Sequence, residues 1–202
     1  MQRWSVVPFV FAIAVCADAF ANCADNLKPG PSPRVRLATT LGDIVIELDS
    51  AKAPVSTENF ARYVDSGHYD GTIFHRVIAD FMIQGGGFTQ ELAEKPARAP
   101  IKNEASNGLK NDAYTIAMAR TNDPNSATAQ FFINAKDNDF LNYAGETRPG
   151  YAVFGKVVKG KDVVDKIRKV AVKRSGVSEA QPLEPVVIKK AECVAAESKG
   201  QK

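Results

Sequence analysis

From Val35 onward, apolar and polar residues alternate, with Ile44, Ile46 and Leu48 on one parity and Asp43, Val45 and Glu47 on the other. A period of two is that of a half-buried strand. The runs Val35–Thr39 and Asp43–Leu48, either side of Thr40-Leu41-Gly42, predict a hairpin. The period then lengthens: Pro54 near a helix start, Ser56 or Thr57 as cap, and Val55, Phe60, Tyr63 and Val64 predict an amphipathic helix that Gly67 ends. Two short buried strands are expected within Phe74–Phe88. A polar, proline-bearing loop follows at Glu91–Pro100, and further strands are expected at Tyr114–Ala119, Gln130–Asn134, Tyr151–Val158 and Pro185–Cys193. Val163, Val164, Ile167 and Val170 recur at helical spacing within Lys161–Val170. Many short strands with one early and one late helix predict an all-β barrel or sandwich carrying helices at its ends.

Both ends of the chain read differently. Met1-Gln2-Arg3 is a small positive region, Trp4–Val15 is apolar, and Ala19-Phe20-Ala21 is a small-x-small pattern, so residues 1–21 are expected to be a cleaved signal peptide. The apolar run is short for a membrane span, so no stable membrane anchor is expected. Asn22 before Cys23 and Val15 before Cys16 argue against a lipoprotein signal. Residues 22–33, rich in Pro, Gly, Asn and Asp, read as a linker. One folded domain is expected over 34–194, and 195–202 read as a solvated tail. An exported chain would be periplasmic and in an oxidising compartment, where Cys23 and Cys193 either bridge the two ends or remain unrelated free thiols.

Composition narrows the class. With 202 residues, 45% hydrophobic content and 11 Phe, the chain can bury a sizeable core, which excludes disorder for most of its length. A net charge of +3 with interspersed signs argues against a nucleic-acid binder, and the dense basic stretch Lys159–Arg174 also carries Asp162 and Asp165, as a solvated helix face does. No CxxC occurs and the only histidines, His68 and His75, lack matching ligands, so no metal is expected. Neither coiled-coil heptads nor a sticky edge is evident, which leaves a monomer.

The segment FHRVIADFMIQGGGF, residues 74–88, sets a permanent charge, Arg76, among Phe74, Val77, Phe81 and Met82, although buried charge is costly unless paired. Gly85-Gly86-Gly87 lacks the Lys-Ser/Thr of a phosphate loop, and His75-Arg76 lacks the acid of a kinase catalytic loop. Alternation turns His75 to the opposite side of its strand from Arg76, a structural position. What remains around Arg76 is neutral or apolar: Gln84, Phe81, Met82 and, from NSATAQFFIN at 125–134, Gln130 and Phe132. Any one of those phenylalanines alone would be ordinary core. Together they suit an apolar pocket with one fixed cationic donor.

FHRVIADFMIQGGGF at 74–88, NSATAQFFIN at 125–134 and YAVFGKVVKG at 151–160 resemble, in order and spacing, the signature blocks of the cyclophilin-type peptidyl-prolyl cis-trans isomerases, and the similarity runs from Val35 to Cys193. With the leader, the chain most resembles the exported bacterial (periplasmic) branch. The resemblance implies a closed eight-stranded antiparallel β-barrel capped by two α-helices, no cofactor, and proline-containing unfolded or partly folded polypeptides as substrates. It places the catalytic arginine on Arg76, acting with Phe81 and Gln84. The proline pocket falls on Phe81, Met82, Phe132 and Leu141, the polar backbone-binding groups on Gln84 and Gln130, and the substrate-lining strand on Ala119 and Arg120. Phe140 and Tyr151 stand at the pocket rim where many eukaryotic members carry tryptophan and histidine. Loss of the indole N–H donor implies weak or no cyclosporin binding, with catalysis retained. Two rival readings stay open: a binding module or holdase chaperone gripping proline-containing chains in the same pocket, and a hydrolase using His75.

Overall fold

The computed structural model describes residues 22–24 and 32–194. The expected leader at 1–21, most of the linker and the tail at 195–202 lie outside the described residues. The strands are β1 (Arg34–Thr39), β2 (Gly42–Leu48), β3 (Thr72–Ile78), β4 (Met82–Thr89), β5 (Thr115–Met118), β6 (Phe131–Asn134), β7 (Val153–Lys159), β8 (Val172–Lys173), β9 (Gln181–Pro182) and β10 (Ile188–Val194). Helix α1 (Pro54–Asp65) follows β2, and helix α2 (Lys161–Ile167) follows β7.

Eight strands form one antiparallel sheet in the order β10-β1-β2-β7-β5-β6-β4-β3, and β8 pairs with β9 separately. The first hairpin follows the alternation: Thr39 pairs with Gly42 across Thr40-Leu41, which puts Leu37 opposite Ile44 and Val35 opposite Ile46, all four buried. The sheet curls around a core in which Phe60 of α1 meets Phe131 and Phe154, with ring centroids 5.5 and 5.2 Å apart. Val163, Val164 and Ile167 bring α2 into the same core.

The expected closed barrel is corrected to a curled, open sheet, because no ladder joins its outer strands β3 and β10. Isolated contacts span the seam instead: a bridge between Ile73 and Val187, and hydrogen bonds from Gly71 N–H to Ile188 C=O (2.8 Å) and Phe74 N–H to Val186 C=O (3.0 Å). The segment that would extend β10 along β3 contains Pro182 and Pro185, which have no backbone donor to offer a ladder.

Local details also depart from the sequence pattern. Ser56 and Thr57 lie inside α1 rather than at its cap, because Ala53 holds that position without a side-chain bond. The Glu104 carboxylate, distant in sequence, accepts the N–H groups of Val55 (3.0 Å) and Ser56 (2.7 Å). It thus satisfies donors a local cap would have taken. Helix α2 stops at Ile167, and Lys169 and Val170 fold back in i→i−3 bonds that tighten its last turn. At the ends of the domain, a disulfide joins Cys23 to Cys193, with Cα atoms 5.3 Å apart and a sequence separation of 170. Asp65, the last residue of α1, accepts the N–H groups of Cys23 (2.7 Å) and Ala24 (2.9 Å).

Candidate active site

Strand register assembles a row of unlike side chains on one face of the sheet. Arg76 on β3 lies opposite Gln84 on β4, Gln84 opposite Phe132 on β6, Phe132 opposite Ala117 on β5, and Ala117 opposite Val153 on β7. Directly paired residues share a face, so a guanidinium, an amide and an apolar surface stand side by side. One residue along, the paired Ile83, Ile133 and Ile116 point the other way, into the main core. The period of two therefore separates a core face from a site face.

On the site face Met82, Ala117, Phe132, Leu141 and Val153 form a second buried cluster, edged by Ile78, Phe81, Leu109, Ala119 and Tyr151. Phe132 meets the Tyr151 ring edge-on at 5.7 Å, and Phe81 stacks on Phe140 at 5.5 Å. Leu141, at the end of a one-turn helix over Asp139–Leu141, is buried, whereas its neighbour Phe140 is 63% exposed and forms the rim.

Polar groups border this patch. Arg76 Nε donates to Glu179 Oε1 at 2.6 Å and Nη2 forms an ion pair with the same oxygen at 2.6 Å, while Nη1 lies 3.9 Å from Met82 Sδ and the guanidinium carbon 5.8 Å from the Phe81 ring centre. Its charge is thus half-buried and paired, which resolves the cost of setting a cation in an apolar run. Arginine hydrogen bonding and the loop's own backbone hold the Glu179 carboxyl below its usual range, the backbone contribution being the larger. Gln84 Nε2 donates to Gln130 Oε1 at 2.9 Å. Ala119 and Arg120 follow the end of β5. The Arg120 guanidinium lies 4.3 Å over the Tyr151 ring and donates to Gly150 C=O from Nε (3.1 Å) and Nη2 (2.9 Å), so it braces the rim.

Two of the three glycines, Gly86 and Gly87, are required by geometry. Gly86 adopts φ of +85°, and a Cβ there would stand 2.9 Å from both Tyr69 and Phe131. A Cβ on Gly87 would stand 2.6 Å from the Gln130 side chain, so its absence makes room for the residue that holds Gln84. His75 faces away from Arg76, buried against Phe88 at 4.8 Å between ring centres. Burial, assisted by the Arg76 charge, holds its pKa down from 6.5 to about 4. His75 therefore lies off the site face and is neutral near pH 7.

Register and loop packing bring together every site residue read from the sequence, and they add residues that the pattern did not single out. Ala117 and Val153 floor the apolar patch, and Leu109 borders it. Behind it lies a cluster of asparagine amides. Asn138 Nδ2 donates to Phe81 C=O (2.9 Å) and to Asn134 Oδ1 (2.8 Å). Asn134 Nδ2 donates to Asn111 Oδ1 (3.3 Å), and Asn111 Nδ2 reaches Leu141 C=O (3.3 Å) and Tyr151 C=O (3.4 Å). Buried amides thus hold the backbone of three pocket residues. The last addition is Glu179, contributed by a Ser/Gly loop that carries no local signal of a site.

A family model described as cyclophilin type peptidyl-prolyl cis-trans isomerase matches residues 34–193. The chain is 62% identical over 159 residues to a peptidyl-prolyl cis-trans isomerase of Streptomyces antibioticus, covering 78% of this chain and 96% of that protein. It is 53% identical over 190 residues to peptidyl-prolyl cis-trans isomerase A of Dickeya dadantii (94% and 96% covered). Identity to peptidyl-prolyl cis-trans isomerase B of Escherichia coli is 56% over 156 residues (76% and 95% covered). Among solved structures, a cyclophilin type peptidyl-prolyl cis-trans isomerase of Cryptosporidium parvum superposes with a TM-score of 0.68 at 26% identity, covering 82% of this chain and 99% of that one.

Proposed function

The chain belongs to the cyclophilin-type peptidyl-prolyl cis-trans isomerase family and catalyses rotation about X–Pro peptide bonds, and we propose that it does so by gripping the twisted bond between Arg76 and the apolar patch. The observation that carries this reading is the row Arg76–Gln84–Phe132, which sets one cationic donor and one amide directly beside a ring-sized apolar surface.

Amide resonance makes the barrier to rotation about 18–20 kcal/mol. When the bond twists, resonance is lost and the prolyl nitrogen regains its lone pair. A guanidinium aimed at that nitrogen binds the twisted form better than either planar isomer, so the barrier falls without proton transfer. Bringing tens of seconds to milliseconds takes about four to five decades, roughly 5.5–7 kcal/mol. One charge-assisted hydrogen bond supplies only about 1.5–3 kcal/mol. The remainder comes from orientation: Met82, Phe132 and Leu141 hold the proline ring, Phe81 and Phe140 exclude water, and Gln84, steadied by Gln130, binds the substrate backbone.

Arg76→Ala, assayed by protease-coupled cleavage of an Ala-Pro peptide, is expected to lose about ten- to a hundredfold in rate, the worth of that one contact, while keeping its folded spectrum. An unchanged rate would overturn the mechanism. The same variant decides the holdase alternative, which requires protection of an aggregating client to depend on the pocket without turnover.

The clients proposed are proline-containing unfolded or partly folded polypeptides met after export. The leader-like residues 1–21 support a periplasmic location, as does the Cys23–Cys193 disulfide. A monomer with weak or no cyclosporin binding completes the reading. Phe140 at the rim supports the latter, since it offers no N–H donor.

A further inference from the structure

Arg76 is not left to choose its own orientation. Nε donates to Glu179 Oε1 at 2.6 Å and Nη2 lies at the same distance from that oxygen as an ion pair, so one edge of the planar guanidinium faces the carboxylate. Nη1, which makes no contact with Glu179, instead donates toward the patch, to Met82 Sδ at 3.9 Å. The carboxylate therefore decides which edge of the arginine faces the pocket.

The loop that carries Glu179 is built to hold it there. Ser175 Oγ accepts the N–H groups of Val177 (3.3 Å) and Ser178 (3.2 Å), Ser175 N–H donates to Ser178 C=O (2.7 Å), and Ser178 Oγ accepts Ala180 N–H (3.1 Å). Val77 N–H, on the residue after Arg76, donates to Ala180 C=O at 2.8 Å. Ser178 and Ala180 are buried on either side, so Glu179 alone projects outward, directly beside Arg76. A long, flexible side chain on a strand otherwise has several rotamers available, and ordering it costs free energy at each turnover. Supplying that order in advance favours the transition state over free enzyme.

We infer that Glu179 is a positioning residue for the isomerase reaction, holding the Arg76 guanidinium by its Nε–Nη2 edge so that Nη1 is presented to the prolyl nitrogen. The inference rests on Arg76 being the catalytic arginine. Glu179 does not touch the substrate. Its contribution is to kcat, through the arginine, and it acts by fixing the orientation of the guanidinium.

The test compares wild type, Arg76→Ala, Glu179→Ala, Glu179→Gln and the Arg76→Ala/Glu179→Ala double variant, with kcat and KM obtained separately on an Ala-Pro peptide and folding followed by thermal melting. Glu179→Ala is expected to lower kcat about three- to fivefold, the scale of one half-exposed ion pair, with KM changed by less than about twofold. Glu179→Gln, whose amide oxygen can accept from the same Nε donor, is expected to recover most of that loss. In the Arg76→Ala background, loss of the carboxylate is expected to change nothing further. A Glu179→Ala enzyme as fast as wild type, or faster, overturns the inference, as does a Gln variant as slow as the Ala variant. If Arg76→Ala itself is unimpaired, the failure belongs to the reading of Arg76 on which the inference rests.

Discussion

Adjacent residues His75 and Arg76 receive opposite fates. The first is buried against Phe88 and the second stands on the site face, and burial makes the histidine neutral. Its folded pKa, about 4, lies below the unfolded 6.5, so the unfolded chain binds the proton first as pH falls. Stability is therefore complete above pH 6.5 and lost as pH falls through the window from 6.5 to 4. The loss through this group is on the order of 3 kcal/mol. Urea unfolding at pH 7 and pH 4.5 is expected to show a smaller difference for His75→Gln than for wild type, and equal differences would rule this histidine out. Glu179 contributes in the same direction at lower pH, since its carboxyl is held below the usual range. At the rim, Phe140→Trp would restore an indole donor on an exposed ring. It is expected to strengthen cyclosporin binding about tenfold by calorimetric titration, the worth of one hydrogen bond. Arg76, Phe81, Met82, Gln84, Gln130, Phe132 and Tyr151 lie within the quoted motifs, whereas Ala119, Arg120, Phe140 and Leu141 were placed only by the resemblance of the whole chain. Glu179 was not legible, because an acidic residue in a polar loop looks like any solvated one.

Between neighbouring elements, the site depends on strand register and on the loops behind it. Three of the row residues sit in recognisable strands, yet only the pairing of β3, β4 and β6 makes Arg76, Gln84 and Phe132 neighbours. The asparagines at 111, 134 and 138 are scattered through polar segments that read as ordinary loop or strand end. In the fold they are buried, and they bind the backbones of Phe81, Leu141 and Tyr151. Asn138→Ala is expected to destabilise the protein by about 1–3 kcal/mol, because it leaves buried polar groups without partners. It is also expected to lower kcat through displacement of Phe81. A variant with wild-type urea midpoint and wild-type kcat would show that this amide does neither. The start of α1 gives the same lesson, since the carboxylate that caps it comes from Glu104 rather than from Ser56 or Thr57.

At the scale of the molecule, the ends of the domain are tied together. The Cys23–Cys193 bridge encloses almost the whole domain, and closing so long a loop restricts the unfolded chain most. Cys193→Ser, or reduction of the wild type, is expected to cost about 2–5 kcal/mol in unfolding free energy. The isomerase rate should stay unchanged at temperatures where the protein remains folded, since neither cysteine belongs to either the row of paired site residues or the apolar cluster beside it. A reduced protein that melts with the oxidised one would contradict this. The open seam between β3 and β10 is also a property of the whole chain. It arises where Pro182 and Pro185 deny the outer strands a continuous ladder.

Sequence alone determined which faces are apolar, where most strands and both helices lie, and which three blocks resemble those of the family, because period and side-chain chemistry are local properties. The quoted blocks were enough to nominate Arg76, Gln84 and Phe132, which the fold sets side by side. Tertiary structure alone decided that the sheet stays open, that a distant carboxylate caps α1, that buried amides brace the pocket, and that Glu179 holds the guanidinium. Those are contacts between residues far apart in the chain. They arise from the curl and register of the sheet, which no window of the sequence contains.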